Sequence, residues 1–212
     1  MIPLSESNFK ALIANAIVLE SDGLGAKVLK LGDGSFLKLF RKRTRLSSET
    51  LKPYAKRFAD NAKKLRSLNF ISPEIIQVYS LTDPVNATAV HYHPLPGNTL
   101  RNELSTSSTE HCQSLTQQFG ELLARMHESG VYFRSAHLGN ILVQPDGQFG
   151  LIDLADMKIS RFRLSLGKRR RNLKHIRRYQ EDSHWIFETY RENFKKGYSL
   201  HAQRQAERLF PD

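Results

Sequence analysis

The part of the sequence that most constrains the fold is a short hairpin with a polar residue at each outer end. Residues 141–143 and 149–152 are apolar, and the Pro-Asp-Gly run at 145–147 predicts a turn between two antiparallel strands. A hairpin brings its outer ends together. Asn140, before the first strand, and Asp153, after the second, are therefore predicted neighbours.

These two side chains suggest a chemistry. An amide oxygen and a carboxylate are hard ligands, which suit Mg²⁺ that carries phosphate groups. The sequence thus predicts a magnesium site at Asn140 and Asp153. The alternative interpretation is that each residue merely caps a turn.

The N-terminal part predicts five strands and one helix. The strands are residues 17–19, 27–31, 36–40, 73–79 and 87–92, and the first three form an antiparallel meander. Apolar residues at spacings of three and four predict a helix from Leu51 or Tyr54 to Leu68. Ser47 or Ser48 is a candidate cap, and Pro53 fits a first turn.

The C-terminal part is predicted to be mainly helical. Ser107 and Glu110 resemble a capping box for a helix that Gly130 closes, and a last helix is predicted to end at Gly197. Residues 94–97 contain two prolines and a glycine, which can continue neither strand nor helix, so they mark a lobe boundary. We therefore predict an α+β fold with lobes 1–93 and 94–212.

Composition limits the class of protein. The chain has 212 residues, a formal net charge of +11 and a single cysteine, Cys112. One cysteine allows no intrachain disulfide, which favours a reducing compartment, and Cys112 is expected to be structural. The N-terminus lacks the pattern of a signal peptide and no stretch is apolar enough to span a bilayer, so we expect a cytoplasmic location, peripheral on the inner membrane at most.

The order of these motifs resembles the protein-kinase-like superfamily, whose catalytic loop H-R-D-x-x-x-x-N is followed by a D-F-G aspartate. Asn140 matches the metal-binding asparagine and Asp153 matches the D-F-G aspartate. Lys38, on the third strand, matches the phosphate-binding lysine. The resemblance implies a two-lobed kinase-like fold that binds ATP and Mg²⁺.

The same resemblance implies the remaining nucleotide contacts. Gly23 and Gly25 would form a reduced phosphate-covering turn, although the full glycine-rich motif is absent and a plain turn is the alternative. Residues 90–93 would be the hinge whose backbone meets adenine, which places His91, Tyr92 and His93 at the nucleotide. Lys38 alone could also be a solvated strand lysine.

A closer resemblance covers nearly the whole chain. Residues 39–43, 54–68, 94–97 and 133–140 look like the lipopolysaccharide core kinases, also described as heptose/Kdo kinase-like or toluene-tolerance proteins. The family implies ATP-dependent phosphorylation of a heptose or Kdo sugar on a lipid-linked core oligosaccharide at the inner face of the inner membrane.

Two departures from the family pattern bear on activity. Ser135 stands at the position of the catalytic aspartate, and a serine hydroxyl is not a base at neutral pH. Loss of general-base help costs about 10²–10⁴-fold in rate, which slows phosphoryl transfer without abolishing it. His137 and Asp156 are candidate substitute bases. Asp60 is the one acid in its helix that could pair with Lys38, and a surface role is the alternative.

A basic segment covers residues 158–178 and holds ten Lys or Arg residues and no acid. Without compensating carboxylates, the segment predicts an external anion, either a phosphorylated core sugar or an anionic lipid surface, with Arg169, Arg170 and Arg171 as candidate contacts. A solvated helix face is the alternative. Nucleic acid is a weaker candidate because few aromatic residues are interleaved.

Three functions therefore remain open from the sequence. The first is a sugar kinase of the lipopolysaccharide core type, slowed by Ser135. The second is a pseudokinase that binds nucleotide or a partner without turnover. The third is a basic nucleic-acid-binding protein.

Overall fold

The structure is a computed structural model that describes residues 1–41, 52–82 and 87–211. The chain divides into two compact units. The first unit comprises Met1–Ser67, Ser72–Leu95 and Leu154–Asp156, and the second comprises Leu68–Ile71, Pro96–Asp153 and Met157–Asp212. The predicted caps Ser47 and Ser48, the helix start at Leu51 and residues 42–43 of the family-like segment 39–43 lie outside the described residues.

The first unit is built on a six-stranded sheet. Its strands are β1 (Ile2–Leu4), β2 (Ile17–Asp22), β3 (Gly25–Lys30), β4 (Phe36–Arg41), β5 (Glu74–Leu81) and β6 (Ala87–His93). They lie in the order β1-β5-β6-β4-β3-β2, and β1 runs parallel to β5 while the other pairs are antiparallel. The sheet has one strand more than the five predicted, because the three residues of β1 are too few to show a pattern.

Two helices belong to this unit, where one was predicted. α1 (Glu6–Leu12) begins at the N-cap Ser5, whose hydroxyl accepts from the Asn8 amide at 3.3 Å. α2 (Tyr54–Ser67) begins one residue after Pro53, whose carbonyl accepts from the Arg57 amide at 3.0 Å, so Pro53 lies at the N-cap and not in the first turn as predicted. α2 buries the face predicted from its periodicity, including Phe58 and Leu65, and packs on β4, β5 and β6.

The second unit combines short strands with helices. Its strands are β7 (Asn98–Thr99), β8 (Val131–Tyr132), β9 (Ile141–Val143), β10 (Phe149–Leu151) and β11 (Lys158–Ile159). Its helices are α3 (Leu100–Thr106), α4 (Thr109–Glu128), α5 (Leu166–Ile176), α6 (Gln180–His184) and α7 (Arg191–Leu209), with a π-helical turn at Trp185–Thr189. The strands pair as β10-β9-β7 and β11-β8. The predicted α+β class is confirmed.

The predicted capping box is wrong by one residue. Ser107 is the C-cap of α3, a helix that the sequence pattern did not reveal, and its amide donates to the Glu103 carbonyl. The N-cap of α4 is Ser108, which accepts from the His111 amide at 3.3 Å. Two consecutive serines fit the cap equally well by type, and only the end of α3 decides between them.

The predicted helix end at Gly197 is also wrong, because α7 continues to Leu209. Gly197 instead lets α7 approach α4, since a Cβ there would lie 1.8 Å from the Gln117 carbonyl oxygen. The same contact requires glycine on α4, since a Cβ at Gly120 would lie 2.2 Å from the Phe194 carbonyl oxygen. Glycine here is required by close packing and not by helix termination.

No helix within the described residues combines the length and the apolar character that crossing a bilayer requires.

Candidate active site

The predicted hairpin forms and joins the two proposed metal ligands through the backbone. Ile141 pairs with Leu151 in the β9–β10 ladder, and the Ile152 amide donates to the Asn140 carbonyl at 3.1 Å. Asp153 follows Ile152 directly. The structure thus brings Asn140 and Asp153 together at one end of the hairpin.

The Asn140 side chain is buried and held in a defined direction. Its Nδ2 donates to the Ser135 carbonyl at 3.0 Å, and its backbone amide donates to the His137 carbonyl at 2.9 Å. Because the nitrogen end of the amide is engaged within the loop, the oxygen end is the one that can meet a cation.

Asp153 has a φ of 54°, in the left-handed region. Among the described non-glycine residues, only Asn69 shares a positive φ. Such a conformation costs on the order of 1–3 kcal/mol and is typical of functional sites.

Asn140 and Asp153 together offer one amide oxygen and one carboxylate. Two protein oxygens, completed by phosphate groups and water, are a usual magnesium set, so the residues fit that ion.

The loop before the hairpin is anchored to α6. The Leu138 amide donates to Asp182 Oδ2 at 2.8 Å, and Arg101 holds the same carboxylate through contacts of 2.8 and 3.0 Å. Asp182 is fully buried. The hydrogen bonds that Arg101 donates to Asp182 raise the pKa of Arg101, so its guanidinium is charged at neutral pH. Neither Arg101 nor Asp182 was predicted as part of the site, since nothing local in the sequence connects them to the loop.

The predicted base candidates in this loop differ in their surroundings. His137 packs on Tyr179, with ring centroids 4.4 Å apart, and the Arg101 guanidinium lies 4.8 Å from the centre of the same Tyr179 ring. Ser135 is half-buried and supplies its carbonyl to Asn140. The third candidate, Asp156, lies in the 3₁₀ turn Leu154–Asp156 of the first unit.

A buried chain of hydrogen bonds supports the start of the loop. Asn172 Nδ2 donates to the Phe133 carbonyl at 2.6 Å, so Asn172 Oδ1 must accept from His127 Nε2, 3.1 Å away. His127 Nδ1 then accepts from the Tyr198 hydroxyl at 2.7 Å, and Tyr198 accepts from Arg169 at 3.0 Å. Every proton in this chain has one consistent placement.

Burial fixes the charges in that chain. It lowers the pKa of His127 to about 3, and the Arg169 cation acts in the same direction while Asn172 opposes it. Burial also raises the pKa of Tyr198 to about 12. Both groups are therefore neutral at pH 7, as the direction of the hydrogen bonds requires.

Arg169 was predicted to contact substrate, and the structure corrects this. Its side chain is fully buried, where it donates to Tyr198, to the Leu164 carbonyl at 2.9 Å and to Glu128 at 2.6 Å. The side chains of Arg170 and Arg171 are exposed. A run of arginines does not reveal which member faces inward, because that depends on where the helix packs.

Lys38 lies on β4 of the first unit, in register with Val28 and Val90. Its side chain is buried, and its Nζ lies 5.9 Å from the centre of the Phe40 ring. Asp60, the candidate partner of Lys38, lies 2.6 Å from Lys52 Nζ and 3.8 Å from Lys56 Nζ, and its pairing with Lys38 stays a prediction.

The predicted phosphate-covering turn joins β2 and β3. Gly25 has a φ of 104°, which only glycine adopts readily, and Asp22 accepts from the Leu24 amide at 2.8 Å. Gly23 has open space where a Cβ would lie. The turn therefore needs its second glycine for backbone reasons, and its role toward phosphate stays a prediction.

The proposed hinge forms the end of β6. His91 is buried and its Nε2 contacts Ser35 Oγ at 2.6 Å, while that hydroxyl donates to Asp33 at 2.5 Å. Burial lowers the pKa of His91, the Asp33 charge opposes this, and His93 adds to it. Tyr92 packs between the rings of Phe36 and Phe58, and His93 is exposed. Contact of this segment with adenine stays a prediction.

The model of the lipopolysaccharide kinase (Kdo/WaaP) family matches residues 99–198, which include Ser135, Asn140 and Asp153. Among solved structures, the chain is similar to the Cydia pomonella granulovirus kinase PK-1, with 12% identity and a TM-score of 0.44 over 72% of this chain and 56% of the viral kinase. No curated protein matches the chain. The family match therefore confirms the resemblance to the lipopolysaccharide core kinases over residues 99–198.

Proposed function

We propose that the chain is an ATP- and Mg²⁺-dependent phosphotransferase whose acceptor is a heptose or Kdo sugar of the lipopolysaccharide core. The observation that carries the proposal is the family match over residues 99–198, which contains the loop and hairpin with Asn140 and Asp153 at one end. The residue types at these positions are those that hold a metal-bound nucleotide in kinases.

The proposed roles follow from residue chemistry. Asn140 and Asp153 would hold Mg²⁺, and the ion, when bound, would neutralise charge on the transferred phosphoryl group. Lys38 would bind the α- and β-phosphates as a compact cation. The Gly23–Gly25 turn would cover the phosphates through its backbone.

Ser135 sets the expected rate. Its hydroxyl can orient an acceptor hydroxyl but cannot remove a proton at neutral pH, so transfer would be slow. His137 lies two residues after Ser135 in the same loop, and its packing on Tyr179 favours a supporting role. The acceptor hydroxyl is proposed to lie beside Ser135.

Transfer of labelled γ-phosphate from ATP to purified core oligosaccharide tests the proposal. We expect transfer that is lost in Asp153→Ala and retained in Asp146→Ala, which removes an exposed carboxylate from the turn of the same hairpin. Ser135→Asp is expected to increase the rate. Equal transfer by Asp153→Ala and the unmodified protein would rule out the proposed metal site.

Ser135 also favours a second candidate, a pseudokinase that binds nucleotide without turnover. Both candidates predict that ATP with Mg²⁺ raises the melting temperature, because a ligand that binds only the folded state stabilises it, by about 2.7 kcal/mol at 100 times its Kd. We expect Lys38→Met to reduce that shift. A shift without transfer would favour the pseudokinase, and no shift would exclude both.

A further inference from the structure

The most exposed large apolar side chain of the described residues is Phe162, with 75% of its surface accessible. It lies between Arg161 and Arg163, which are also exposed, and the Arg161 guanidinium lies 5.9 Å from the centre of its ring. Single exposed apolar side chains are common on protein surfaces, so it is the cations on both sides of Phe162 that make this position informative.

The turn that carries Phe162 is firmly attached to the end of α4. The Ser160 amide donates to the Gly130 carbonyl at 3.0 Å, and the Leu164 amide donates to the His127 carbonyl at 2.8 Å. Ser160 Oγ also lies 2.7 Å from the Phe162 carbonyl. Leu164 is buried, so it occupies the core position of this turn. These hydrogen bonds and the burial of Leu164 consequently hold Phe162 on the outside of the turn.

α5 follows this turn and presents cations on its outer side. Its buried residues are Arg169, Asn172, Leu173 and Ile176. Arg170, Arg171 and Lys174 lie on the opposite face at helical spacing and are exposed, as is Lys168 at its flank. The salt bridge from Arg169 to Glu128 fixes α5 at the same end of α4 that holds the Phe162 turn.

We call this surface the basic face; it consists of Arg161, Phe162, Arg163, Lys168, Arg170, Arg171 and Lys174. Within the described part of the chain, none of its six cations forms a salt bridge, and residues 157–180 contain no acid. Its charge is therefore available to an external anion.

We infer that the basic face docks on an anionic lipid bilayer. Phe162 would enter the headgroup region, where aromatic side chains are favoured, and the surrounding cations would contact lipid phosphates. A soluble phosphate would contact the cations alone, whereas a bilayer surface accommodates both the cations and the apolar ring. Single-stranded nucleic acid is usually bound on several stacking aromatics, whereas this face has one. The inference does not depend on phosphotransfer.

Sedimentation with vesicles tests the inference in the absence of ATP and sugar. We expect the full chain to bind phosphatidylcholine vesicles that contain phosphatidylglycerol, to bind pure phosphatidylcholine vesicles weakly, and to lose binding as salt rises. Equal binding to both vesicle types, or no binding to either, would overturn the inference. Tighter binding to single-stranded RNA than to the anionic vesicles would also overturn it.

Matched variants separate the two parts of the face. Arg171→Gln with Lys174→Gln should lower vesicle partitioning about 25-fold, at about fivefold for each cation. Lys196→Gln with Arg204→Gln removes the same charge from exposed positions of α7 and should have little effect. Equal losses in the two double variants would show that net charge, and not this face, decides binding.

The aromatic anchor has its own pair of variants. Phe162→Ser should lower partitioning on the order of tenfold, whereas Leu200→Ser, at an exposed apolar position of α7, should not. In a Phe162→Trp variant with Trp185→Phe, the single indole should show a blue-shifted emission on anionic vesicles. An unchanged partition for Phe162→Ser or an unshifted emission would contradict insertion.

Discussion

The Leu138 amide and the Asp182 carboxylate form a hydrogen bond of 2.8 Å between residues that are 44 positions apart. The bond attaches the loop that carries Ser135 and Asn140 to α6. Asp182 is fully buried and also pairs with Arg101, so a single carboxylate satisfies one backbone donor and one cation.

Replacement of Asp182 by Asn should therefore destabilise the fold. The variant keeps the side-chain shape but removes the charge that Arg101 and the Leu138 amide share, and hydrogen bonds to charged groups contribute about 1.5–3 kcal/mol each. We expect a loss of about 2–3 kcal/mol in denaturant unfolding. Glu181→Gln, at an exposed acid on the same helix, is the control and should change little. A neutral Asp182→Asn would show that the anchor is dispensable.

The pH dependence of stability should reveal His127. Its pKa is about 3 in the folded protein and 6.5 when unfolded, so between these values only the unfolded chain binds the proton. Stability contributed by His127 is therefore complete above pH 6.5 and falls as the pH is lowered toward 3, by at most about 1.4 kcal/mol per pH unit.

The measurement is the free energy of unfolding as a function of pH for the unmodified protein and for His127→Gln. The difference between the two should shrink as the pH falls below 6.5, because the variant has no proton to gain at this position. His111→Gln removes an exposed histidine of α4 and should leave the pH profile unchanged. A pH-independent difference for His127→Gln would contradict the buried neutral state.

Packing of α4 on α7 should fail in Gly197→Ala. The added methyl would lie 1.8 Å from the Gln117 carbonyl oxygen, and backbone can relieve such a contact only if the helices separate. We expect a loss of about 3 kcal/mol or more, the upper end for overpacked cores. Thermal unfolding measures the loss.

Gly167→Ala is the matched control for that variant. Gly167 also lies in a helix, but nothing lies within 4 Å of the position of its Cβ. Alanine is the better helix former, so this variant should gain about 0.5–1 kcal/mol. Similar destabilisation in both variants would show that the added methyl lowers stability without regard to the space around it, which would contradict the role of close packing at Gly197.

Asp153→Gly should separate stability from activity. Glycine adopts the φ of 54° without strain, so the variant should be more stable by about 1 kcal/mol. Phosphate transfer should be lost with the carboxylate. Asn69→Gly, at a φ of 59°, should gain similar stability while transfer is retained. A less stable Asp153→Gly protein would show that the Asp153 side chain stabilises the fold more than its backbone strains it.

Local patterns in the sequence were sufficient for the hairpins and for α2. The β9–β10 hairpin depends on a Pro-Asp-Gly turn between two apolar runs, and its closure alone places Asn140 beside Asp153. The start of α2 follows from Pro53 and the apolar spacing after it. In each case the residues that decide the structure are neighbours in the chain.

The ends of helices were less predictable where two residues fitted the same position or where packing opposed a local preference. Ser107 and Ser108 are equally good caps by residue type, and the unpredicted helix α3 decides between them. Gly197 is a common type of helix end, yet it lies inside α7 because α4 packs against it. A local helix preference of about 1 kcal/mol is outweighed by the packing of α4 on α7.

By itself, the sequence determined three features. These are the hairpin with Asn140 and Asp153 at its outer ends, the strand that carries Lys38, and the basic segment without acidic residues. Only the tertiary structure decided that Arg169 is buried while Arg170 is exposed, that Asp182 holds Leu138, and that His127 is neutral. The physical reason is range: turns and periodicity are properties of adjacent residues, whereas burial, and the charges it permits, depend on partners brought from distant parts of the chain.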